Sequence, residues 1–449
     1  MSTEVSRPRG TSPGQPTIIV PRPRLMKRLD EVSAAQLITI TAPAGYGKTT
    51  VVRQWQAHDS REFIWVNLGG SDDAPWPLLH HLASTFEQSG ALDAHVGSLR
   101  VSDGSPAYEV MPPLAAALDE RTPCVLVFDD LHWLRSLRTL HIIDGLLRAL
   151  PLDCQVLVLG RGSPAIGLGR HAIQKDLLQL RATDLAMDDA EARRLFETAG
   201  VAHRERTIDE ILRRFEGWPL GLNQVAMALA SWDQTPTQSG RFHFHRFVDQ
   251  ATVDLLQATD PTAIDFLEKS ATLPELDPLL LDELLDRDDS TALLAELLSS
   301  GSPILRQPDT VEDPPRHLHL FGDALRSRLK ARDPELARDL SQRASSLLEA
   351  RGETEAAVRA SVTADDPERA AHLILRATIP LVAEGDGSCL DEWLDMLPPD
   401  AANACPSAAA AQAWNCLARG DIQAMREAIR LARRTISTRA CDDGSGDTT

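Results

Sequence analysis

The hydrophobic pattern of the chain changes character near Asp184. Before it, short apolar runs rich in β-branched residues alternate with segments of helical period. Residues 37–40, 63–67, 124–130, 155–161 and 177–180 read as strands. Runs without a polar alternation are the pattern of strands covered on both faces. Residues 25–34, the segment from Lys48, 78–89, 110–120 and 142–149 read as helices. Strands alternating with helices predict a parallel α/β sheet with right-handed crossovers.

After Asp184 the pattern is helical. Asp188 and Glu191 have the spacing of a capping box ahead of a helix at 190–199. Helices are expected at 208–215, 223–231, 248–257, 261–271, 278–285, 291–299 and 324–330, and Pro219 is sterically comfortable at a helix start. Ile304-Leu305-Arg306 and His317-Leu318-His319-Leu320 are expected to pair as a small hairpin, completing a winged-helix-like module over 242–330. From Asp333 the chain is rich in Ala, Leu, Glu and Arg. Three pieces, at 353–361, 365–373 and 420–428, look alike and predict helix–turn–helix repeats over 331–437. Residues 1–17 and 438–449 have the composition of disordered tails, and 233–241 that of a linker. The remaining boundaries are an α/β core over 18–181 and an all-helical lid over 182–232.

One stretch carries the clearest chemistry: LITITAPAGYGKTT, ending at Thr50. A strand, a loop broken by Pro43, Gly45 and Gly47, and a helix opening at Lys48 form the context of a phosphate-binding loop. Glycines let main-chain N–H groups turn towards an anion, and the helix N-terminus adds its field. Ala42, Pro43, Ala44, Gly45, Tyr46, Gly47, Lys48, Thr49 and Thr50 are therefore candidate nucleotide contacts. Lys48 would reach the β- and γ-phosphates, and the Thr49 hydroxyl would hold Mg²⁺. Ala42 stands where the motif has its first glycine. The second signal is the apolar strand ending in Asp129-Asp130. Asp129 would anchor Mg²⁺ through water, and Asp130 would orient the attacking water. Two adjacent acids favour hydrolysis over passive binding. Arg161, at the C-terminal end of the next strand, is a candidate γ-phosphate sensor or a partner of a nearby carboxylate. Arg24 lies either at the nucleotide base or in a surface ion pair.

Composition narrows the picture. The formal net charge is −19, which does not advertise a large nucleic-acid surface. The six cysteines form no C-x-x-C pair and read as reduced thiols. His80 and His81 point to different helical faces and make an improbable metal pair. No apolar run reaches membrane-spanning length and the N-terminus lacks a signal-peptide core, so a cytoplasmic protein is expected.

APAGYGKTT, VLVFDDLHWL, VLVLGR and GWPLGL, in that order, resemble the signal-transduction ATPases with numerous domains (the STAND class). The nearest group is that of the MalT-like, large ATP-binding LuxR-type regulators. FIWVNLGGSDD and LFGDALR are similar to the same group. The resemblance implies an α/β P-loop NTPase core of the ASCE/AAA-like kind, then an all-α lid, a winged-helix-like domain and TPR-like repeats. It implies ATP or ADP with Mg²⁺ as cofactors, Asp129 and Asp130 as the Walker B pair, Arg161 as sensor, and Pro219 against the adenine. A winged-helix histidine touches the β-phosphate of ADP in such proteins; His319 is the first choice here and His317 the second. The implied function is an ATP-binding and ATP-hydrolysing switch in transcriptional regulation. It would take an inducer or protein on the repeats and form a nucleotide-dependent homo-oligomer. The chain stops soon after Met425 with no basic recognition helix following, so the DNA-binding domain is expected to be missing or supplied by a partner. A dedicated ATPase or phosphotransferase, and a repeat scaffold with structural nucleotide, are the alternatives.

Overall fold

The computed structural model describes residues 18–31, 37–90, 123–151, 153–162, 177–201, 205–233, 259–306, 314–384 and 387–442, with isolated positions in 116–119 and 248–256. The chain divides into two compact units, 1–247 with 296–310, and 248–295 with 311–449. The expected helices at 110–120 and 248–257, the N-terminal tail and most of the linker lie largely outside the described residues.

The first unit opens with α1 (Pro23–Glu31), β1 (Leu37–Thr41), α2 (Lys48–Gln56), β2 (Glu62–Asn67) and α3 (Pro75–Gln88). It continues through β3 (Cys124–Asp129), α4 (Leu137–Ala149), β4 (Cys154–Gly160) and β5 (Leu177–Leu180). The five strands form one parallel sheet in the order β2-β3-β4-β1-β5. Every residue of β3 and β4 is buried, which is why these strands read as unbroken apolar runs. On one face Ile64, Leu126, Phe128 and Val156 pack with Leu82, Phe86, Ile143 and Leu146 from the helices. Thr41 pairs with Gly160, and Asn67 with Asp129. The C-terminal ends of β1, β3 and β4 are therefore brought to one edge, where a parallel sheet presents its ligand site.

Two helices start earlier than the pattern predicted. Pro75 and Pro77 lie in the first turn of α3 rather than in the preceding loop. A proline there loses no helix hydrogen bond. The start of α4 is fixed from outside: Asp73 Oδ1 accepts the Arg135 and Ser136 amides at 2.9 and 2.8 Å and the Thr139 hydroxyl at 3.0 Å.

The lid comprises α5 (Ala182–Leu185), α6 (Asp189–Thr198), α7 (Glu205–Phe215) and α8 (Pro219–Asp233). The capping box is present: Asp188 accepts the Glu191 amide at 2.8 Å, and Glu191 accepts the Asp188 amide at 3.3 Å. Glu191 has a second task. It meets the Arg22 guanidinium at 2.9 Å, with both side chains about 5% exposed or less. Arg22 also donates to the Leu185 carbonyl at 2.8 Å. This buried pair ties the segment before α1 to the lid.

In the second unit α9 (Pro261–Ser270) and α10 (Pro278–Leu285) precede α11 (Ser290–Ser300), which ends inside the first unit's residues. The short strand β6 (Leu305–Arg306) also lies among the first unit's residues, and β7 (Arg316–His317) in the second unit. β7 is shorter than expected because His319 already begins α12 (His319–Arg332). The array then runs through α13 (Pro334–Ala350), α14 (Thr354–Thr363), α15 (Pro367–Glu384), α16 (Gly387–Asp395), α17 (Ala401–Ala404), α18 (Pro406–Ala418) and α19 (Ile422–Asp442). The last helix continues past Ser437, where a tail was expected. The three look-alike pieces share one turn. Glu353 N reaches Leu348 O, Asp366 N reaches Ser361 O, and Asp421 N reaches Cys416 O, at 3.0, 3.0 and 2.9 Å. Gly352, Asp365 and Gly420 supply the left-handed residue. These are Schellman ends, each feeding the next helix. No described helix is long and apolar enough to cross a membrane.

Removing one member of a buried ion pair leaves the other charge uncompensated. Glu191→Ala is expected to destabilise the first unit by about 3–5 kcal/mol, read as a lower urea midpoint. A loss under about 0.5 kcal/mol, the size of an ordinary surface change, would refute this account of the pair.

Candidate nucleotide site

The loop after β1 is shaped by two glycines in the left-handed region, Gly45 at φ +81° and Gly47 at φ +78°. Gly47 is the N-cap of α2. Gly45 is also a point of close approach: a Cβ there would lie 2.7 Å from Leu220 Cβ and 2.8 Å from Trp218 Nε1. The lid holds the loop through those neighbours. Trp218 Nε1 donates to the Ala44 carbonyl at 3.1 Å, and the Leu220 amide to the Gly45 carbonyl at 3.0 Å. Pro219 sits between them as the first, buried residue of α8.

Lys48 is 8% exposed. Its ammonium donates to the carbonyls of Ala42 and Pro43 at 2.8 and 3.0 Å. Burial first, then the positive charge of Arg161, push its pKa down to about 8, against the pull of Asp130 and Asp129. Two cations close enough to oppose each other beside a loop of main-chain amides form an anion site. Thr49 Oγ1 donates to Asp129 Oδ2 at 2.8 Å. Burial holds the Asp129 carboxyl above the usual range, with the Thr49 hydrogen bond acting the other way. A hydroxyl and a carboxylate in contact are the hard oxygen donors that Mg²⁺ takes, alongside water and phosphate oxygens. The residues present fit that ion.

Asp130 has a left-handed backbone at φ 61°, which turns it out of the strand direction. Its side chain is about half exposed, at 48%, and faces His132: Oδ1 to Nδ1 is 3.6 Å. Burial and the charge of Arg161 push the His132 pKa down to about 4, so the ring is neutral at physiological pH. Its Nδ1 is buried without a hydrogen bond among the described residues. Sequence reasoning missed His132 although it lies two residues beyond Asp130; the paired carboxylates absorbed the reading.

Lys48, Thr49, Asp129, Asp130 and Arg161 are thus brought to one sheet edge, with Ala42, Pro43, Ala44, Gly45 and Gly47 around them. Tyr46 is buried and Thr50 exposed. Arg24 is engaged elsewhere: it donates to the Asp184 and Ala186 carbonyls, both at 2.9 Å, and lies near Glu191 and Asp188. Of the two readings of Arg24, the ion pair is the one whose contacts are present. The two histidines also differ. His319 is exposed at the start of α12. His317 is buried, with Nε2 3.1 Å from Ser270 Oγ, and burial pushes its pKa down to about 3.

A family model of the AAA ATPase domain matches residues 22–159, and one of the MalT winged helix domain matches residues 252–337. The HTH-type transcriptional regulator MalT of Cronobacter sakazakii is 26% identical over 409 residues, covering 88% of this chain and 44% of its own length. That of Vibrio cholerae is 24% identical over 348 residues, covering 75% and 38%. The chain is thus similar to MalT-type regulators, with an AAA ATPase-like region followed by a MalT-type winged-helix region. This MalT-like chain spans less than half the length of each of these relatives. Among solved structures, the Walker-type ATPase of Pyrococcus abyssi aligns with a TM-score of 0.48 at 15% identity, covering 69% of this chain and 96% of that one.

The lysine gives the MalT-like site a pH signature. A bound phosphate stabilises the charged ammonium and raises its pKa, so binding above the free value of about 8 takes up a proton. The Kd for ADP is expected to be flat below pH 8 and to rise above it, by up to about tenfold per pH unit. Calorimetry in buffers of different ionisation enthalpy would count the proton. A flat profile from pH 7 to about 10 would rule out a depressed lysine at the phosphate.

Proposed function

We propose that this chain is a nucleotide-driven regulatory switch that binds ATP or ADP with Mg²⁺ and hydrolyses ATP. One observation carries the reading: the buried Lys48, the opposing charge of Arg161 and the Thr49–Asp129 pair meet on a loop that the lid grips at Ala44 and Gly45. The parts divide the work by chemistry. Lys48 and the loop amides bind phosphate oxygens. Thr49 and Asp129 hold Mg²⁺, which would neutralise charge on the phosphates. Asp130, more exposed than Asp129 and left-handed, orients the attacking water, with His132 beside it. Arg161 stabilises charge on the transferring group. The lid's grip converts the presence of phosphate into a lid position, and a ligand drives such a change only through different affinities for the two states. Regulation of transcription, the role in the name of the MalT relatives, is the output this reading favours. An inducer or protein bound to the helical array and nucleotide-dependent self-association belong to the same proposal.

Two measurements test it. Asp130→Asn is expected to lower ATP turnover by about 10²–10⁴-fold, the span of general-base losses, with nucleotide affinity nearly unchanged. Light scattering would follow wild type, Lys48→Ala and Asp129→Ala with ADP and with a non-hydrolysable ATP analogue. The analogue alone is expected to drive wild type to a larger assembly, while Lys48→Ala stays at its starting size. Wild-type turnover no greater than that of Lys48→Ala would end the hydrolytic reading. A size unaffected by nucleotide would end the assembly reading.

A further inference from the structure

Cys124 opens β3 and Cys154 opens β4. The two strands are parallel neighbours, and their register sets these residues directly opposite each other. Side chains paired in this way stand on one face of the sheet. Both thiols lie in the apolar cluster that also holds Ile64, Leu126 and Val156, and both are 0% exposed. Cys124 Sγ donates to Cys154 Sγ at 3.4 Å. The two sulfurs are thus in contact, with nothing between them.

A disulfide asks for Cα atoms about 4.4–6.8 Å apart. Neighbouring strands of a sheet lie about 4.8 Å apart, inside that range. The sulfurs need only close the remaining gap to about 2.05 Å, a movement that small rotations about the Cα–Cβ bonds supply. The pair also stands where the sheet opens most readily. Pro123, exposed just before Cys124, has no N–H to give to a ladder. Asp153, exposed in a turn, precedes Cys154. Strand ends open locally at a fraction of the free energy of global unfolding. The hydrogen bond from Cys124, then burial, push the Cys154 thiol well above its ordinary range. The pair therefore rests as two thiols and reacts when the strand ends open. The other cysteines, Cys389, Cys405, Cys416 and Cys441, all belong to the second unit. Within the first unit each of these thiols has the other as its one cysteine partner.

We propose that Cys124 and Cys154 form an oxidation site, converted by hydrogen peroxide into a disulfide that staples β3 to β4. The thiolate exposed on opening attacks the peroxide; the O–O bond breaks, a sulfenic acid forms and water leaves. The second thiol attacks that sulfur; the S–O bond breaks, the S–S bond forms and a second water leaves. The thiols together lose two electrons and the peroxide gains them. The product closes a loop of about thirty residues, and a cross-link of that kind restricts the unfolded chain. Asp129, at the far end of β3, is roughly 16 Å away at the usual rise per residue. The staple therefore acts on the stability of the sheet, and the inference does not depend on the nucleotide reading.

The test treats the reduced, folded full chain with hydrogen peroxide. The protein is then unfolded in urea with N-ethylmaleimide, and its peptides are mapped by mass spectrometry without reduction. The expected product is a peptide pair joined through Cys124 and Cys154, two hydrogens lighter than its reduced form and separated again by dithiothreitol. Scanning calorimetry should show the first unit of the oxidised chain melting about 5 °C or more above that of the reduced chain. In Cys124→Ala and, separately, in Cys154→Ala, peroxide should give neither the joined pair nor the rise. If one variant does not fold the other serves, and the wild-type map decides alone if neither does. Recovery of both cysteines as maleimide adducts after peroxide overturns the inference. So does sulfinic or sulfonic acid at either cysteine without the cross-link, or a cross-link that forms only when peroxide is added in urea. A cross-linked chain that melts no higher than the reduced one also overturns it.

Discussion

A buried ammonium whose described hydrogen-bond acceptors are main-chain carbonyls is the constraint around which the first unit is arranged. Lys48 has two main-chain carbonyls and a nearby arginine. Neutral carbonyls compensate a desolvated charge only in part. The site is consequently strained electrostatically towards an anion. Its surroundings supply what an anion needs: free-turning glycine backbone, a helix N-terminus and a second cation. The acids stand one strand further away, because β4 separates β1 from β3. That spacing lets Asp129 reach Thr49 without neutralising Lys48 directly.

The lid and the entry segment use the same loop differently. The lid takes carbonyl oxygens, at Ala44 and Gly45, and so leaves loop amides for other acceptors. Around the back, Arg22, Arg24 and Arg28 clamp the first helix and its approach to the lid, with Arg28 paired to Asp184. A single buried carboxylate, Glu191, serves both a helix cap and this clamp. Lid position, loop shape and chain entry are for that reason one mechanical assembly.

What the sequence made legible follows from the range of the forces. The five strands of the parallel sheet came out within a residue, and in β3 and β4 continuous burial on both faces leaves little choice of pattern. The phosphate loop and Asp129-Asp130 were legible because their chemistry is local in the chain. The clamp was not. Arg22 and Leu185 are 163 positions apart, and nothing in either segment names the other. The Trp218 contact with Ala44 spans 174 positions. The alike pieces of the array were legible as repeats, but the alike feature is a backbone turn, met by glycine twice and by Asp365 once. A residue-type comparison sees only part of that.

The central place of β1 has a consequence in time. Its register sets Leu37 against Val156 on one side and Leu177 on the other. During synthesis at about 5–20 residues per second, β1 waits on the order of ten seconds for its first neighbour and slightly longer for its second. Throughout that interval a strand of Leu, Ile and Thr has both edges open, the situation in which wrong pairing is easiest. The helical array, closed by contacts between successive hairpins, has no such wait. The first strand made is thus the one that waits longest for a partner in the sheet, and a nascent chain interrupted before residue 156 carries its phosphate loop on a strand without either of its neighbours.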